Sequence, residues 1–118
     1  MITANCLVWR PAFEAVGGFD ERFKLAAGED VDLGVKLRQL GALSYAPDAI
    51  VAHDFGQDAF SFVRRFVRYG RGNRLLAQIH GLSLRPFPFL PAQRTPTNMA
   101  LALLQYAALS YGYWVGPL

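Results

Sequence analysis

The sequence predicts an α/β fold that continues into helices, and three observations carry that prediction. Short apolar runs at residues 3–9, 42–45 and 49–52 are typical of strands. Residues 29–40 place their leucines along one side of a helix. Residues 58–118 hold helical patterns interrupted by prolines. A chain of 118 residues is one domain's worth at most.

Composition excludes several classes of protein. Hydrophobic residues make up 53% and charged residues 18%, which excludes a disordered tail. Cys6 is the single cysteine, so an internal disulfide framework and a cysteine-rich zinc site are excluded. The formal net charge of +3 is too small to indicate a nucleic-acid-binding protein by itself.

The distribution of charge is more informative than its sum. Residues 1–58 hold all nine acids and five basic residues, whereas residues 59–118 hold seven arginines and no acid. A change of sign this large within one short chain indicates two regions with different neighbours. The second region is expected to meet anions such as phosphates, lipid headgroups or nucleic acid.

In the first half, the strand at residues 3–9 is followed by a short helix over residues 11–16, with Pro11 in its first turn. Two glycines then end that helix, and residues 19–27 form a loop. The next helix covers residues 29–40 and ends at Gly41. Pro47 and Asp48 make the turn between the two later strands.

In the second half, Asp58 caps an amphipathic helix that reaches about residue 69. Gly70 and Gly72 weaken the helix there, and a further helical stretch covers residues 73–80. Four prolines preclude regular structure in residues 82–96. The predicted divisions are therefore residues 1–57, an α/β part; 58–81, arginine-rich helices; 82–96, a proline-rich linker; and 97–118, an apolar helix. About 20 apolar residues are needed to span a membrane, so this last helix is a candidate membrane segment.

The clearest candidate for chemistry is the acidic start of the helix at residue 29. Glu29 and Asp30 lie beside the leucine stripe, whereas Asp32 is expected to turn further out. A carboxylate at the edge of a core is a plausible general base. The alternative is that these acids only stabilise the positive end of the helix dipole.

Two histidines and an arginine face are the other candidates. His53 closes an apolar run at a strand end, where sites of α/β proteins gather, although a structural role is the alternative. His80 is expected to act as a cation near a helix end. Arginines at positions 64, 65, 68 and 71 share one side of the second amphipathic helix. These four arginines predict either a surface exposed to solvent or a surface that binds an anion.

Four segments in order resemble one known family. They are residues 17–23, 28–33, 47–53 and 69–72. Together they resemble the C-terminal, acceptor-side half of a family-2 glycosyltransferase with the GT-A fold, a Rossmann-like sheet. The resemblance covers about residues 3–75. It implies that the chain contributes half of such a sheet, with the helices added after it.

The resemblance also implies roles for individual residues. Glu29 and Asp30 match the E-D motif, so Asp30 would be the general base of an inverting transfer from a nucleotide-sugar donor to an acceptor hydroxyl. His53 matches a histidine that helps to hold a divalent metal, Mg or Mn. Arg71 is a candidate for binding the leaving diphosphate. The acceptor would be a carbohydrate or lipid-linked, and the enzyme membrane-associated with its catalytic part cytoplasmic.

The resemblance departs from the family in one respect. The nucleotide-binding N-terminal half of the family is not part of the sequence, so the chain is expected to be a fragment that is inactive alone. The rival hypothesis is a non-catalytic basic module. It would bind anionic lipid or nucleic acid through the arginines from Arg64 to Arg74, and it leaves Glu29, Asp30 and His53 without a role.

Overall fold

A computed structural model describes residues 3–52 and 58–115 of the chain. The described residues form a short 3₁₀ helix and four α-helices. In chain order these are Thr3–Asn5, α1 (Arg10–Ala15), α2 (Glu29–Leu40), α3 (Ala59–His80) and α4 (Pro96–Trp114).

Helices α1 and α2 form where their sequence signals predict them. Pro11 lies in the first turn of α1. Gly17 and Gly18 end it with positive φ angles of 76° and 66°, a conformation that glycine adopts without strain. Helix α2 follows Gly28, which has a φ of 97°, and ends at Gly41. The predicted bounds of α2 are confirmed.

The predicted strands do not form in the part of the chain that the structure describes. Residues 42–45 and 49–52 have irregular backbone, and the first apolar run begins with the 3₁₀ helix Thr3–Asn5. These strand predictions are wrong for the chain by itself because a strand needs a neighbour to satisfy its backbone groups. The predicted turn is present, since Ala49 N–H donates to the Ala46 carbonyl at 3.2 Å.

Helix α3 is one continuous helix of 22 residues. Its predicted cap is confirmed, because an Asp58 side-chain oxygen accepts a hydrogen bond from the Ser61 N–H at 2.8 Å. The predicted weakening at Gly70 and Gly72 is wrong. Both glycines are buried inside the helix, where tertiary contacts outweigh the intrinsic cost of about 1 kcal/mol for a helical glycine.

The glycines let three segments approach one another closely. A Cβ atom added at Gly70 would overlap the Leu109 carbonyl of α4 and lie 2.7 Å from the Tyr113 backbone nitrogen. A Cβ atom on Gly112 of α4 would overlap the Val67 carbonyl of α3. On α3, Gly72 makes the same close approach to the Ala27 carbonyl, just before α2. Small residues therefore join α3 to α4 and to the start of α2.

A small apolar core completes the packing. Leu33 of α2 and Leu76 of α3 are each only 1% exposed.

The proline-rich residues 82–95 are irregular as predicted. Helix α4 then begins at Pro96, and the Thr95 hydroxyl caps it by accepting a hydrogen bond from the Asn98 N–H at 3.2 Å. Within residues 3–52 and 58–115, the structure holds no helix with both the length and the apolar character needed to cross a membrane.

Candidate functional site

The first turn of α2 presents two half-buried carboxylates. The carboxylates of Glu29 and Asp30 lie at the positive end of the helix dipole. The Asp30 side chain accepts a hydrogen bond from the Val31 N–H at 2.8 Å. One oxygen of Glu29, Oε2, is buried without a hydrogen-bond partner among the described residues. The predicted position of both acids at the edge of the core agrees with the structure.

The third acid of this turn lies elsewhere than predicted. Asp32 is fully buried, at 0% exposure, so the expectation that it turns outward is wrong. The leucine stripe of α2 places Asp32 outside the core, but the C-terminal end of α3 covers that side of the helix. Tertiary packing therefore widens the buried face of α2 beyond its apolar stripe.

Asp32 is held between the side chains of Lys36 and His80. The Lys36 Nζ lies 2.8 Å from one carboxylate oxygen, Oδ2, and the His80 Nε2 lies 2.8 Å from the other, Oδ1. The Lys36 contact is an ion pair by distance, although its angles fall outside those of a hydrogen bond. Lys36 also donates to the Gly18 carbonyl at 3.2 Å. This cluster ties α2 to the end of α3 and to the turn after α1.

The role of His80 could not be read from the sequence. It was expected to interact with the helix dipole alone, but it contacts an acid 48 residues earlier in the chain. No local pattern identifies such a pair, because each partner lies on a different helix. The i,i+4 spacing of Asp32 and Lys36 favours an ion pair on one helix. That spacing carries no information about the burial of Asp32, which depends on α3.

A small cavity lies between the loop before α2 and the middle of α3. Its volume is about 140 Å³. Four of its lining residues are cationic: Arg22, Lys24, Arg68 and Arg71. The predicted site residue Arg71 therefore faces a concave surface that it shares with three other cations, rather than an open helix surface.

Asp20 holds one of these cations in place. The Arg22 guanidinium donates to both Asp20 oxygens, with Nη2 at 2.6 Å from Oδ2 and Nε at 3.0 Å from Oδ1. This bidentate bond lowers the pKa of Asp20 from 3.8 to about 2 and raises the pKa of Arg22. Among the four cations that line the cavity, Arg22 is therefore the one that the described structure shows paired with an acid, Asp20.

Two arginines from α3 are packed tightly beside the cavity. Arg68 and Arg71 are half-buried, and the Nε atom of each is buried without a hydrogen-bond partner among the described residues. A buried donor without a partner is costly, typically about 1–3 kcal/mol. The exposed arginine of the same helix face, Arg64, stacks on the Phe60 ring instead, with its guanidinium carbon 5.4 Å from the ring centroid.

The cavity and the acidic turn of α2 are close along the chain. Ala27 lines the cavity and stands three residues before Asp30. Three steps of about 3.8 Å keep the Cα atoms of Ala27 and Asp30 within about 11 Å. The wall of the cavity and the start of α2 are therefore neighbouring parts of the chain.

The predicted metal ligand, His53, lies outside the described residues. Among residues 3–52 and 58–115, no three side chains of the ligand type (His, Cys, Asp or Glu) come together to hold a metal ion. The described part of the chain therefore offers no donor set that fits a divalent metal, and the metal site stays a prediction about His53.

Two curated relatives resemble part of the chain, and both are glycosyltransferases. N-acetylglucosaminyl-diphospho-decaprenol L-rhamnosyltransferase of Mycobacterium tuberculosis is 48% identical over 66 residues, covering 51% of this chain and 21% of the relative. Pre-mycofactocin glycosyltransferase of the same species is 43% identical over 70 residues, covering 58% of this chain and 14% of the relative.

The similarity supports sugar transfer in general. The chain spans about a fifth of the first relative's length and about a seventh of the second's. No family model matches the sequence, and no solved structure matches it.

Proposed function

We propose that the chain is the acceptor-side part of a glycosyltransferase. Its similarity to two glycosyltransferases, at 48% and 43% identity, is the observation that carries the proposal. The rival hypothesis of a non-catalytic basic module explains the arginines of α3 but gives no reason for likeness to two sugar-transferring enzymes. The family-2 assignment, the GT-A sheet and the inverting mechanism are parts of the same proposal.

Asp30 is the general base in this proposal. It would remove the proton from the acceptor hydroxyl as that oxygen attacks the anomeric carbon of a nucleotide sugar, and the nucleoside diphosphate would leave on the opposite side. Its half-buried place in the first turn of α2 supports this role, because a base must contact substrate and still be held in position. Glu29, one residue earlier, would position the acceptor.

Asp32 has a different role from Asp30. Both of its oxygens face side chains of the protein, at 2.8 Å from the Lys36 Nζ and from the His80 Nε2. It is 0% exposed and cannot reach a substrate. We assign it to holding α2 against α3, so that the carboxylates one turn earlier keep their place.

The remaining site residues follow from the resemblance. Arg71 would stabilise the negative charge of the diphosphate. His53 would contribute to a site for Mg or Mn completed by other parts of the enzyme. The acceptor would be a carbohydrate or a lipid-linked sugar, because one relative is named for a decaprenol-linked diphosphate. Association with a membrane belongs to the proposal on the same ground.

A grafting experiment tests the proposal. Residues 3–75 would replace the corresponding segment of the mycobacterial rhamnosyltransferase, and L-rhamnosyl transfer to N-acetylglucosaminyl-diphospho-decaprenol would be measured. We expect the hybrid to transfer sugar, whereas the same enzyme with that segment deleted should not. Circular dichroism and donor binding would establish that the hybrid folds. A folded hybrid that binds donor but transfers no sugar would contradict the proposal.

A further inference from the structure

We infer that α4 and the proline-rich residues 82–95 form a surface that docks on a lipid bilayer with anionic headgroups, with α4 lying along the bilayer. The inference rests on the exposed side of α4, on the path of the proline-rich segment and on the charge around both. It concerns lipid binding by this chain alone, so it stands whether or not the proposed sugar transfer is correct.

The exposed side of α4 is apolar along its whole length. At about 100° per residue, six exposed side chains of α4 fall within about 100° of arc. They are Ala100, Leu103, Leu104, Ala107, Tyr111 and Trp114. The opposite side of α4 packs against α3, where Gly112 meets the Val67 carbonyl. A contiguous exposed apolar surface of this kind is typical of an interaction site.

The proline-rich segment adds to this apolar surface. At the C-terminal end of α4, the Arg85 guanidinium carbon lies 5.9 Å from the Trp114 ring centroid. At the N-terminal end, the Asn98 side chain donates to the Gln93 carbonyl at 2.9 Å. The segment therefore runs from one end of α4 to the other. Between those ends it exposes three large apolar side chains: Phe87, Phe89 and Leu90.

Arginines stand at both ends of the surface. Arg85 lies beside Trp114, and Arg94 stands two residues before α4 begins; both arginines are exposed. Such a surface fits a bilayer, because its apolar side chains enter the boundary between headgroups and acyl chains while the arginines meet lipid phosphates. The rings of Tyr111 and Trp114 suit that boundary, since each is apolar with one polar atom.

A second copy of the chain is the alternative occupant of this surface. Residues 59–118 hold seven arginines and no acid. Pairing α4 with α4 would bring two such regions together, and their like charges would repel one another. An anionic bilayer carries the opposite charge, so charge complementarity favours lipid over a second copy.

Flotation of the complete chain with lipid vesicles tests the inference. The vesicles would be phosphatidylcholine alone and a three-to-one mixture of phosphatidylcholine with phosphatidylglycerol, with no sugar donor or acceptor present. We expect binding to the anionic vesicles to be about tenfold or more tighter than to the neutral ones, because the arginines are attracted to the anionic surface. The binding should weaken as salt is added.

Tryptophan fluorescence tests how α4 lies. In a Trp9→Phe background, Trp114 is the single tryptophan. Lipids brominated just below the headgroups should quench its fluorescence more than lipids brominated near the ends of the acyl chains. That order follows from a helix that lies at the boundary between headgroups and acyl chains.

A matched pair of variants tests the apolar side of α4. Combining Leu103→Gln with Trp114→Gln should weaken binding to anionic vesicles about tenfold or more, because both side chains would lose their contact with lipid. The two side chains are 65% and 60% exposed, so the changes spare the core. Leu7→Gln is the control, since Leu7 is 99% exposed and belongs to neither α4 nor the proline-rich segment. Circular dichroism would verify that the variants keep their helices.

A second pair tests the arginines. Combining Arg85→Gln with Arg94→Gln should weaken binding to anionic vesicles about tenfold or more and leave binding to neutral vesicles unchanged. Arg38→Gln is the control, because Arg38 is exposed on α2 and its loss should have a smaller effect.

Four results would overturn the inference. The first is the absence of binding to anionic vesicles. The second is an equal loss of binding in Leu7→Gln and in the combined Leu103 and Trp114 variant, because the exposed side of α4 would then have no special part. The third is quenching of Trp114 that does not depend on the depth of the bromine atoms. The fourth is a dimer that the combined Leu103 and Trp114 variant dissociates, because a second copy would then occupy the surface.

Discussion

Replacing Asp32 by asparagine should destabilise the chain severely, although the change removes no apolar contact. The variant keeps the size of the side chain but loses the charge that Lys36 and His80 face at 2.8 Å. Removing one partner of a buried ion pair costs about 3–5 kcal/mol. The Lys36 and His80 side chains remain 24% and 14% exposed and regain some hydration. We therefore expect the lower end of that range, about 3 kcal/mol.

The assay is urea unfolding followed by circular dichroism at the helix band. With a denaturant slope of about 2 kcal/mol per M, the midpoint should fall by about 1.5 M. Asp48→Asn is the matched control, because Asp48 is exposed in the turn before residue 50, and its midpoint should not move. A double-mutant cycle with His80→Gln should give a coupling energy of at least about 0.5 kcal/mol. An Asp32→Asn midpoint equal to that of Asp48→Asn would refute the buried ion pair.

Two further predictions concern a glycine contact between helices and the ion pair of Asp20. Gly112→Ala should lower the free energy of unfolding by about 1–3 kcal/mol, because its Cβ would overlap the Val67 carbonyl of α3. Gly41→Ala is the control: its Cβ would meet open space, so the free energy of unfolding should change by less than about 0.5 kcal/mol. Equal melting temperatures for the two variants would contradict the close approach of α3 and α4. The pKa of Asp20 is lowered from 3.8 to about 2, so the stability that it contributes is present above pH 3.8 and is lost as the pH falls through about 2. Wild type should therefore melt above Asp20→Asn at neutral pH and converge with it near pH 2; a gap that stays constant with pH would argue against the Arg22 pairing.

Local signals in the sequence predicted the helices well. The bounds of α2, the Asp58 cap of α3 and the irregular proline-rich stretch each depend on residues within a few positions of one another. These effects act inside a single turn or loop, so spacing and residue type are enough to predict them.

Features that depend on distant contacts were not predicted. The glycines at positions 70 and 72 predicted a weak point in α3. In the structure, Gly70 packs against α4 and Gly72 packs against Ala27, so both glycines are sites of close packing. Asp32 was placed outside the core because the side of α2 that it occupies is covered by a helix far along the chain. The strand predictions were wrong for a related reason: a strand is stable only when it pairs with another strand, and the described residues provide no such partner.

The candidate site was predicted in part. The positions of Glu29 and Asp30 beside the core agree with the structure, because the leucine spacing of α2 determines them. Arg71 was chosen by resemblance, and the cavity that it lines with Arg22 and Lys24 was not foreseen. Those two residues come from the loop before α2, and nothing local in the sequence places that loop against α3.

The central claim is that Asp30, and not Asp32, is the base of a sugar transfer. Its most direct test is the turnover number of the grafted rhamnosyltransferase with Asp30→Asn, compared with the hybrid carrying Asp48→Asn. Loss of a general base lowers turnover by about 10² or more, so we expect such a fall for Asp30→Asn with donor affinity and melting temperature unchanged. Asp48→Asn should keep full turnover. A folded Asp30→Asn hybrid that turns over as fast as the Asp48→Asn hybrid would contradict the account.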